Sequence, residues 1–220
     1  MSPPASGRAR PARKEGYHHG DLRRALLDAT LDLCNRFGPQ GFSLRAAARA
    51  AGVTPAATYH HFEDKDALIA GVAEEGFALL RADLEAAAKQ PAASPRDRSH
   101  NVGVAYVLFA MKHPTRFRVM VGYGVQKSKR ADPAPEAKAA YQLVRQVLIQ
   151  GLRASPDDAV SEAEVFGWWS VVHGLAFLAI DGHLGQVGSS PERAERFVHE
   201  VIAALDARSR GGVAAVARSR

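Results

Sequence analysis

The chain of 220 residues contains a single cysteine, Cys34, and few of the features that mark secreted or membrane proteins. One thiol excludes an internal disulfide and suits a reducing cytoplasm. The N-terminus lacks the apolar segment of a secretory signal. The longest apolar run, from Val165 to Ile180, is short for a membrane span and is interrupted by Ser170 and His173. We therefore expect a cytoplasmic protein that does not cross a membrane.

The usual sequence motifs of catalysis and of metal binding are also missing. There is no GxSxG, GxxxxGK[ST] or GxGxxG, and Cys34 has no evident activating base. The histidines include the pairs His18-His19 and His60-His61, but adjacent histidines on a helix point about 100° apart, and no CxxC or HExxH spacing accompanies them. We expect no enzymatic activity, no cofactor and no metal site. A metal-dependent helical protein stays open as an alternative.

Runs of alternating β-branched residues are absent, whereas apolar residues recur at helical spacing along the whole chain. This pattern predicts an all-α fold, which we divide into a small domain and a larger one. The first four helices are predicted to begin at Asp21, Ser43, Thr54 and Asp64. Further helices are predicted at about Ser99 to Lys112, Pro114 to Val121, Pro135 to Leu152, Ser161 to Leu184 and Pro191 to Ala207.

The stretch SLRAAARAAGVTPAATYHHFEDK, residues 43–65, has the pattern of a helix-turn-helix. Ser43 and Thr54 can each cap a helix, Pro55 suits the first position of the second helix, and Gly52 suits the turn between them. Such a pair presents its second helix to the DNA major groove. That helix is predicted to have about seven residues, roughly 10 Å, against a groove about 12 Å wide. The alternative is an ordinary alanine-rich helical hairpin.

The net charge of +6 is unevenly distributed along the chain. Residues 1–15 carry +3, residues 16–62 carry +2, residues 63–207 carry −3 and residues 208–220 carry +4. The two basic tails are rich in arginine and small residues, so we expect them to be disordered. No carboxylate occurs between positions 33 and 62. Because phosphates repel nearby acids, this local absence favours a nucleic-acid partner.

The residues from Tyr17 to about Val72 resemble the TetR/AcrR family of transcriptional regulators, through YHHGDLRRALLDATLDL, GFSLRAAARAAGVTPAATYHHF and EDKDAL. The sequence WSVVHG at 169–174, with the preceding HPTRFRVMVG, is similar to the WHG subgroup of that family. The resemblance implies a three-helix DNA-binding domain at 16–63 and a helical ligand-binding and dimerisation domain at 64–207. We therefore expect a homodimeric repressor that binds a palindromic double-stranded operator and is released by a small molecule. A helical ligand-binding protein without operator recognition is the alternative.

The resemblance also implies which residues contact DNA. The family's contacts fall on Ser43, Arg45, Ala56, Ala57, Tyr59, His61 and Lys65, and the predicted set also includes Tyr17, Thr54 and His60. Arg45 can reach a phosphate or a guanine edge, and Tyr59 can donate to a phosphate. The alanines offer only apolar contact, so the operator sequence is not predicted.

The larger domain contains aromatic and apolar residues that predict either a ligand pocket or an ordinary core. The candidates are Tyr106, Phe109, Phe117, Met120, Tyr123, Trp168, Trp169, His173 and Phe177. Ligand sites often lie between the helices of a bundle. The sequence does not decide between pocket and core, and it does not identify the effector.

Overall fold

The computed structural model describes residues 19–123, 135–153, 159–185, 190 and 192–204, except for the side chains of 19–21 and 123. The regular elements in these ranges are all helical, which confirms the predicted fold class. The helices are α1 (His19–Phe37), α2 (Leu44–Ala50), α3 (Pro55–Tyr59), α4 (Lys65–Ala88), α5 (Pro95–Lys112), α6 (Pro114–Arg118), α7 (Pro135–Leu152), α8 (Glu162–Ile180) and α9 (192–204). A π-helical turn, Val119–Tyr123, continues α6.

The first three helices form a small three-helix head, which packs on α4. Ala47 and Ala48 of α2 are fully buried, because their small side chains allow α2 to approach its neighbours closely. The buried ring of Phe62 closes the head near the start of α4. A Cβ on Gly71 would lie 2.9 Å from Leu27 Cδ2 and 3.0 Å from Phe62 Cε1, so α4 and the head meet where α4 has no side chain.

Three capping side chains set the starts of α2, α3 and α4. Ser43, Thr54 and Asp64 each accept a hydrogen bond from the backbone N–H three residues further on, at 3.2, 3.2 and 2.7 Å respectively. Gly52 has φ of +72°, a conformation that favours glycine, and it makes the turn between α2 and α3. These starts and this turn agree with the sequence prediction, because each depends on a local hydrogen bond or backbone preference.

Three details of the head differ from the prediction. The first helix begins at His19, so Asp21 lies inside it and is not its cap. Helix α3 ends at Tyr59 and has five residues, about 7.5 Å, which is shorter than predicted. Phe37 continues the helical spacing of apolar residues in the first helix, which predicts burial, but it is 53 % exposed, with the Arg36 guanidinium 5.1 Å from the centre of its ring.

Helix boundaries in the larger domain also differ from the prediction. Helix α5 begins at Pro95 because Ser94 caps it, accepting the backbone N–H three residues further on at 3.1 Å. The predicted start, Ser99, is a buried residue inside the helix. The α-helical geometry of α6 stops at Arg118, where the π-helical turn begins. Helix α8 ends at Ile180, short of its predicted end.

The remaining helices form a bundle in which α4 packs against α5 and α7, and α5 also packs against α8. Leu84 of α4, Val107 of α5 and Leu148 of α7 are fully buried in this core. Arg81 Nε donates to Glu136 at 2.7 Å and so joins α4 to the first turn of α7. The bundle holds α6 and the π-helical turn against α4, and α6 also contacts α1 of the head.

Candidate DNA-binding surface and aromatic cluster

The head exposes several of the side chains that are predicted to contact DNA. Arg45 of α2, Ala56 of α3 and His60 after α3 are exposed, and Tyr59 is 56 % exposed. Ala57 is half-buried because it lies partly against the rest of the head. The Tyr59 ring is exposed although large aromatic rings are often buried, and its hydroxyl can donate to a phosphate.

Other predicted contact residues combine a structural role with their place on this surface. The exposed Ser43 and Thr54 use an oxygen to cap α2 and α3, which leaves each hydroxyl hydrogen able to donate to a phosphate. Lys65 is half-buried, with its Nζ 5.5 Å from the centre of the Phe42 ring. His61 is half-buried. Tyr17, also in the predicted set, lies outside the described residues.

The electrostatic character of this surface comes from the backbone as well as from arginines. The N-termini of α2 and α3 carry partial positive charge, and neither has an acidic residue in its first turn. The region without carboxylates ends at Glu63, which is followed by Asp64 and Asp66 at the start of α4. The arrangement suits contact with a polyanion along α2 and α3.

Five rings of the bundle form what we call the aromatic cluster: Tyr106 of α5, Phe117 of α6, and Trp169, His173 and Phe177 of α8. The Phe117 ring lies 5.5 Å from that of Tyr106, 5.8 Å from that of His173 and 5.7 Å from that of Phe177, between ring centres. The His173 ring lies 5.4 Å from that of Trp169 and 5.1 Å from that of Phe177. Phe117 is fully buried, whereas the three residues of α8 are partly exposed.

A hydrogen bond lies inside this cluster, between Tyr106 Oη and His173 Nδ1 at 2.8 Å. Burial raises the pKa of Tyr106 and lowers the pKa of His173. Both groups are therefore neutral at pH 7, and the bond joins two uncharged side chains. The cluster combines ring surface with one neutral polar pair, which is the composition expected of a small-molecule site.

Three other pocket candidates lie apart from the cluster. Phe109 is buried with its ring centre 5.0 Å from that of His113, and Met120 is fully buried against Gly76 of α4. Trp168 is half-buried, and its ring would lie 2.5 Å from a Cβ added to Gly103 of α5. Phe109 and Met120 belong to the buried core, and Trp168 packs against its edge. The Tyr123 side chain lies outside the described residues.

Two aromatic residues that the sequence reasoning missed extend the cluster. The Trp169 ring centre lies 5.7 Å from that of Phe166 and 6.2 Å from that of Tyr141 of α7. Phe166 and Tyr141 are aromatic residues within predicted helices, and this signal could have added them to the predicted pocket residues. Their approach to Trp169 depends on how α7 and α8 pack, which helical periodicity does not give.

Helix α6 contacts different parts of the molecule through successive residues. Thr115 Oγ1 donates to Asn35 Oδ1 of α1 at 2.7 Å. Arg116 Nη1 donates to Glu75 Oε2 of α4 at 3.5 Å. Phe117, next along the chain, points into the aromatic cluster. Three successive residues of α6 therefore contact the head, α4 and the aromatic cluster.

The outer face of α8 is apolar and uncovered in the single chain. Phe166, Val171 and Leu178 are 48 %, 39 % and 49 % exposed. A Cβ on Gly167 or Gly174 would meet no atom within 4 Å. Large apolar side chains and glycines on the same exposed face allow another helix to approach closely.

Helix α8 is also the one helix among the described residues that is long and apolar enough to suit a membrane span by length and composition. Its Val165, Val172, Leu175 and Ala176 are buried in the bundle. Within the described ranges, no group of three or more histidine, cysteine or acidic residues could hold a metal ion. Burial raises the pKa of the Cys34 thiol to about 11, so this cysteine is a poor nucleophile.

Comparison with known proteins relates both parts of the chain to one family. Residues 26–72 match the bacterial regulatory proteins of the tetR family, and residues 99–205 match the tetracyclin repressor-like C-terminal domain. The chain is 31 % identical over 157 residues to the HTH-type transcriptional regulator BetI of Rhizobium meliloti (strain 1021), covering 70 % of this chain and 75 % of that protein. The chain belongs to the TetR family.

Solved structures share the fold of this chain. A protein of unknown function from Rhodococcus sp. RHA1 has a TM-score of 0.69 and 30 % sequence identity, covering 86 % of this chain and 97 % of that one. FadR from Bacillus subtilis, solved in complex with stearoyl-CoA, has a TM-score of 0.60 at 13 % identity, covering 81 % and 96 %. The second likeness concerns the fold alone.

As a TetR-family member, the chain is a DNA-binding transcriptional regulator with a helix-turn-helix and a C-terminal ligand-binding domain. It is not an enzyme. The predicted family, fold class and general function are thereby confirmed.

Proposed function

We propose that this TetR-family regulator is a homodimeric repressor that binds a palindromic operator and is released from it by a small molecule. The observation that carries the proposal is the surface of the head. Arg45, Tyr59 and His60 are exposed together with the N-termini of α2 and α3, in a segment without carboxylates. The DNA contacts are proposed for the predicted set, with Arg45 and Tyr59 as its main exposed donors.

The proposed domain division follows the contacts of α4. Residues 16–63 form the DNA-binding head, and residues 64–207 form the ligand-binding and dimerisation domain. Two heads would bind half-sites about one turn of DNA, roughly 34 Å, or slightly more apart. The protein would act in the cytoplasm, where its operator is accessible, and its match to the tetracyclin repressor-like domain favours repression over activation.

The proposed dimer forms through the outer face of α8, together with α9. The exposed Phe166, Val171 and Leu178 would be buried against the same face of a second copy, as a two-fold interface requires. Gly167 and Gly174 would let the two α8 helices approach closely, since neither position has a neighbour in the single chain.

The proposed release is a population shift. An effector that binds better to a conformation with the wrong spacing between the heads would favour dissociation. A differential affinity worth about 1–3 kcal/mol is sufficient, whereas an effector with equal affinity for both states would change nothing. The shift would be transmitted through α4, which contacts the head, and through α6, whose Thr115 contacts α1 and whose Phe117 belongs to the aromatic cluster.

Binding selection from a random duplex library tests operator recognition. A homodimeric regulator enriches an inverted repeat whose half-sites have one fixed spacing. A helical ligand-binding protein without operator recognition enriches no sequence, and that result would end the proposal. The selected duplex, placed over a promoter in an in vitro transcription assay, then separates repression from activation by the sign of the effect on transcript yield.

A further inference from the structure

A hydrogen bond inside the aromatic cluster fixes the state of His173. Tyr106 is only 6 % exposed, so its hydroxyl hydrogen needs an acceptor within the protein. His173 Nδ1, 2.8 Å from Tyr106 Oη, is the partner that the hydroxyl has among the described residues. His173 is neutral, because burial lowers its pKa. It therefore accepts at Nδ1 and carries its hydrogen on Nε2.

The Nε2–H of His173 is a hydrogen-bond donor in apolar surroundings. The structure records no acceptor for it within the described residues. The ring's other neighbours are the rings of Phe117, Phe177 and Trp169, at 5.8, 5.1 and 5.4 Å between centres, and none of them offers a conventional acceptor. His173 is half-buried, so a molecule from outside can reach this side of the cluster. The Nε2–H is not a buried unpaired donor, so water can reach it, and a ligand that displaces this water has to supply an acceptor in its place.

The charged residues on either side of Phe117 are already engaged. Arg116 pairs with Glu75 at 3.5 Å, and Arg118 pairs with Asp181 at the end of α8. An anion bound at the cluster would lose its hydration, and neither Arg116 nor Arg118 would be free to pair with it. A cation would also lose its hydration, and it would meet the positive end of the His173 Nε2–H bond. An uncharged ligand avoids both costs.

We propose that the effector is an uncharged, largely aromatic molecule whose carbonyl or ether oxygen accepts a hydrogen bond from His173 Nε2–H. The rings of Phe117, Phe177 and Trp169 would supply its apolar contacts. Tyr106 would be a positioning residue, since its hydroxyl sets the hydrogen of His173 on Nε2 without touching the ligand. This inference rests on the proposed function, in which the C-terminal domain binds the releasing molecule.

Four probes of one ring size test the proposal by calorimetry on the full-length protein. They are 2-acetylnaphthalene, which carries a carbonyl acceptor, 2-ethylnaphthalene, which lacks one, 2-naphthoate, an anion, and 2-naphthyltrimethylammonium, a cation. We expect the ketone to bind about three- to tenfold more tightly than the hydrocarbon, as one hydrogen bond contributes. Both ions should bind more weakly than the ketone. Equal affinity for ketone and hydrocarbon, or a preference for either ion, would overturn the proposal.

Two variants and one spectroscopic measurement assign the preference to His173. His173→Phe keeps a ring but removes the donor, so the ratio of ketone to hydrocarbon affinity should fall to about one. Tyr106→Phe should reduce this ratio, because it frees the tautomer. In the unmodified protein, ¹⁵N spectra of labelled histidine should show His173 as the Nε2–H tautomer at pH 7. The opposite tautomer refutes the proposal even if neither variant folds.

The outcome is separable from that of the proposed function. Operator selection uses the unmodified protein without any probe. A protein that enriches an inverted repeat but binds the four probes alike is a regulator with a different effector chemistry. A protein that prefers the ketone but enriches no duplex has the proposed ligand site without the proposed repressor function.

Discussion

Lys65 begins α4 beside the head, and its Nζ lies 5.5 Å from the centre of the Phe42 ring. A cation held over an aromatic ring loses part of its freedom before it meets a partner. If it contacts one operator phosphate, Lys65→Ala should weaken binding and lower the slope of log affinity against log salt by about one. Fluorescence anisotropy of the selected operator at several salt concentrations measures both effects.

A lysine distant from the head provides the control for this measurement. Lys138 is exposed on α7, and Lys138→Ala removes the same charge from the bundle. We expect its salt dependence to match that of the unmodified protein. If the two alanine variants gave parallel lines of equal slope, Lys65 would have no phosphate contact.

His173 should make the bundle less stable in mild acid. Burial lowers its pKa below the ordinary value of about 6.5, so the unfolded chain takes up a proton before the folded chain does. The stability that the neutral ring provides is complete above about pH 6.5 and is lost as the pH falls towards the folded pKa. His113 has a pKa shifted in the same direction, by burial and then by Lys112 and Arg116.

Urea unfolding at pH 7.5, 6 and 5 measures this dependence. His173→Phe should reduce the loss of unfolding free energy between pH 7.5 and 5, with a remainder from His113, while its effect at pH 7.5 reports the lost bond to Tyr106. His199→Phe, on the exposed side of α9, controls for the removal of a histidine. An acid dependence that is unchanged in His173→Phe would contradict a buried neutral ring.

At the scale of single helices, the sequence determines starts better than ends. Ser43, Thr54 and Asp64 cap their helices as predicted, because a cap depends on a hydrogen bond to a backbone N–H three residues away. The same signal is present at Ser94, which is followed by Pro95 at the first helical position, although the predicted start of this helix is Ser99. That boundary was therefore predictable from residues already in view.

The candidate site was predictable only in part. The exposed residues of the head follow from a family motif and from local helical geometry. The bond between Tyr106 and His173 joins positions 67 residues apart, and it depends on how α5 and α8 pack. The π-helical turn after Arg118 depends on tertiary contacts such as the packing of Met120 against Gly76. Periodicity along the chain does not contain this information.

Helix α6 offers a test of the connection between head and bundle. The hydrogen bond from Thr115 to Asn35 Oδ1, 2.7 Å long and exposed, crosses from α6 to α1. A double-mutant cycle of Thr115→Val and Asn35→Ala, followed by urea unfolding, should give an interaction energy of about 0.5 kcal/mol, at the low end for a hydrogen bond. Amide exchange in α1 should become faster in each single variant.

Thr115→Ser is the matched control, because it keeps the donor hydroxyl and removes only a methyl group. It should retain the slow exchange of α1. An interaction energy near zero, with α1 exchange unchanged in the valine variant, would mean that this hydrogen bond does not connect the two domains.

At the scale of the whole molecule, α4 is the helix shared by head and bundle. Helix α4 meets the head at Gly71, and it meets Met120 of the π-helical turn at Gly76. A Cβ added to either glycine would clash. These positions are five residues apart, about 7.5 Å along the helix axis. A movement of α6 at one glycine therefore reaches the head over little more than one turn, through a rigid element.

In the proposed dimer, the outer face of α8 holds the two heads together. Gly174→Leu should leave the single chain folded, because Gly174 is exposed, an added Cβ meets no atom within 4 Å, and leucine favours helix over glycine by roughly 0.8 kcal/mol. In the proposed dimer the same side chain would separate the two α8 helices. Light scattering over a dilution series should show that the variant dimer dissociates at concentrations at least about tenfold higher than the unmodified dimer does. Ala82→Leu, on an exposed face of α4, is the control and should dissociate as the unmodified protein does.

The same variant should also bind DNA more weakly. A dimer that binds both half-sites gains affinity because its two heads are linked, so Gly174→Leu should bind the selected operator more weakly than the unmodified protein does. An unaltered dimer in Gly174→Leu would place the subunit interface elsewhere, and the exposed apolar face of α8 would need another partner.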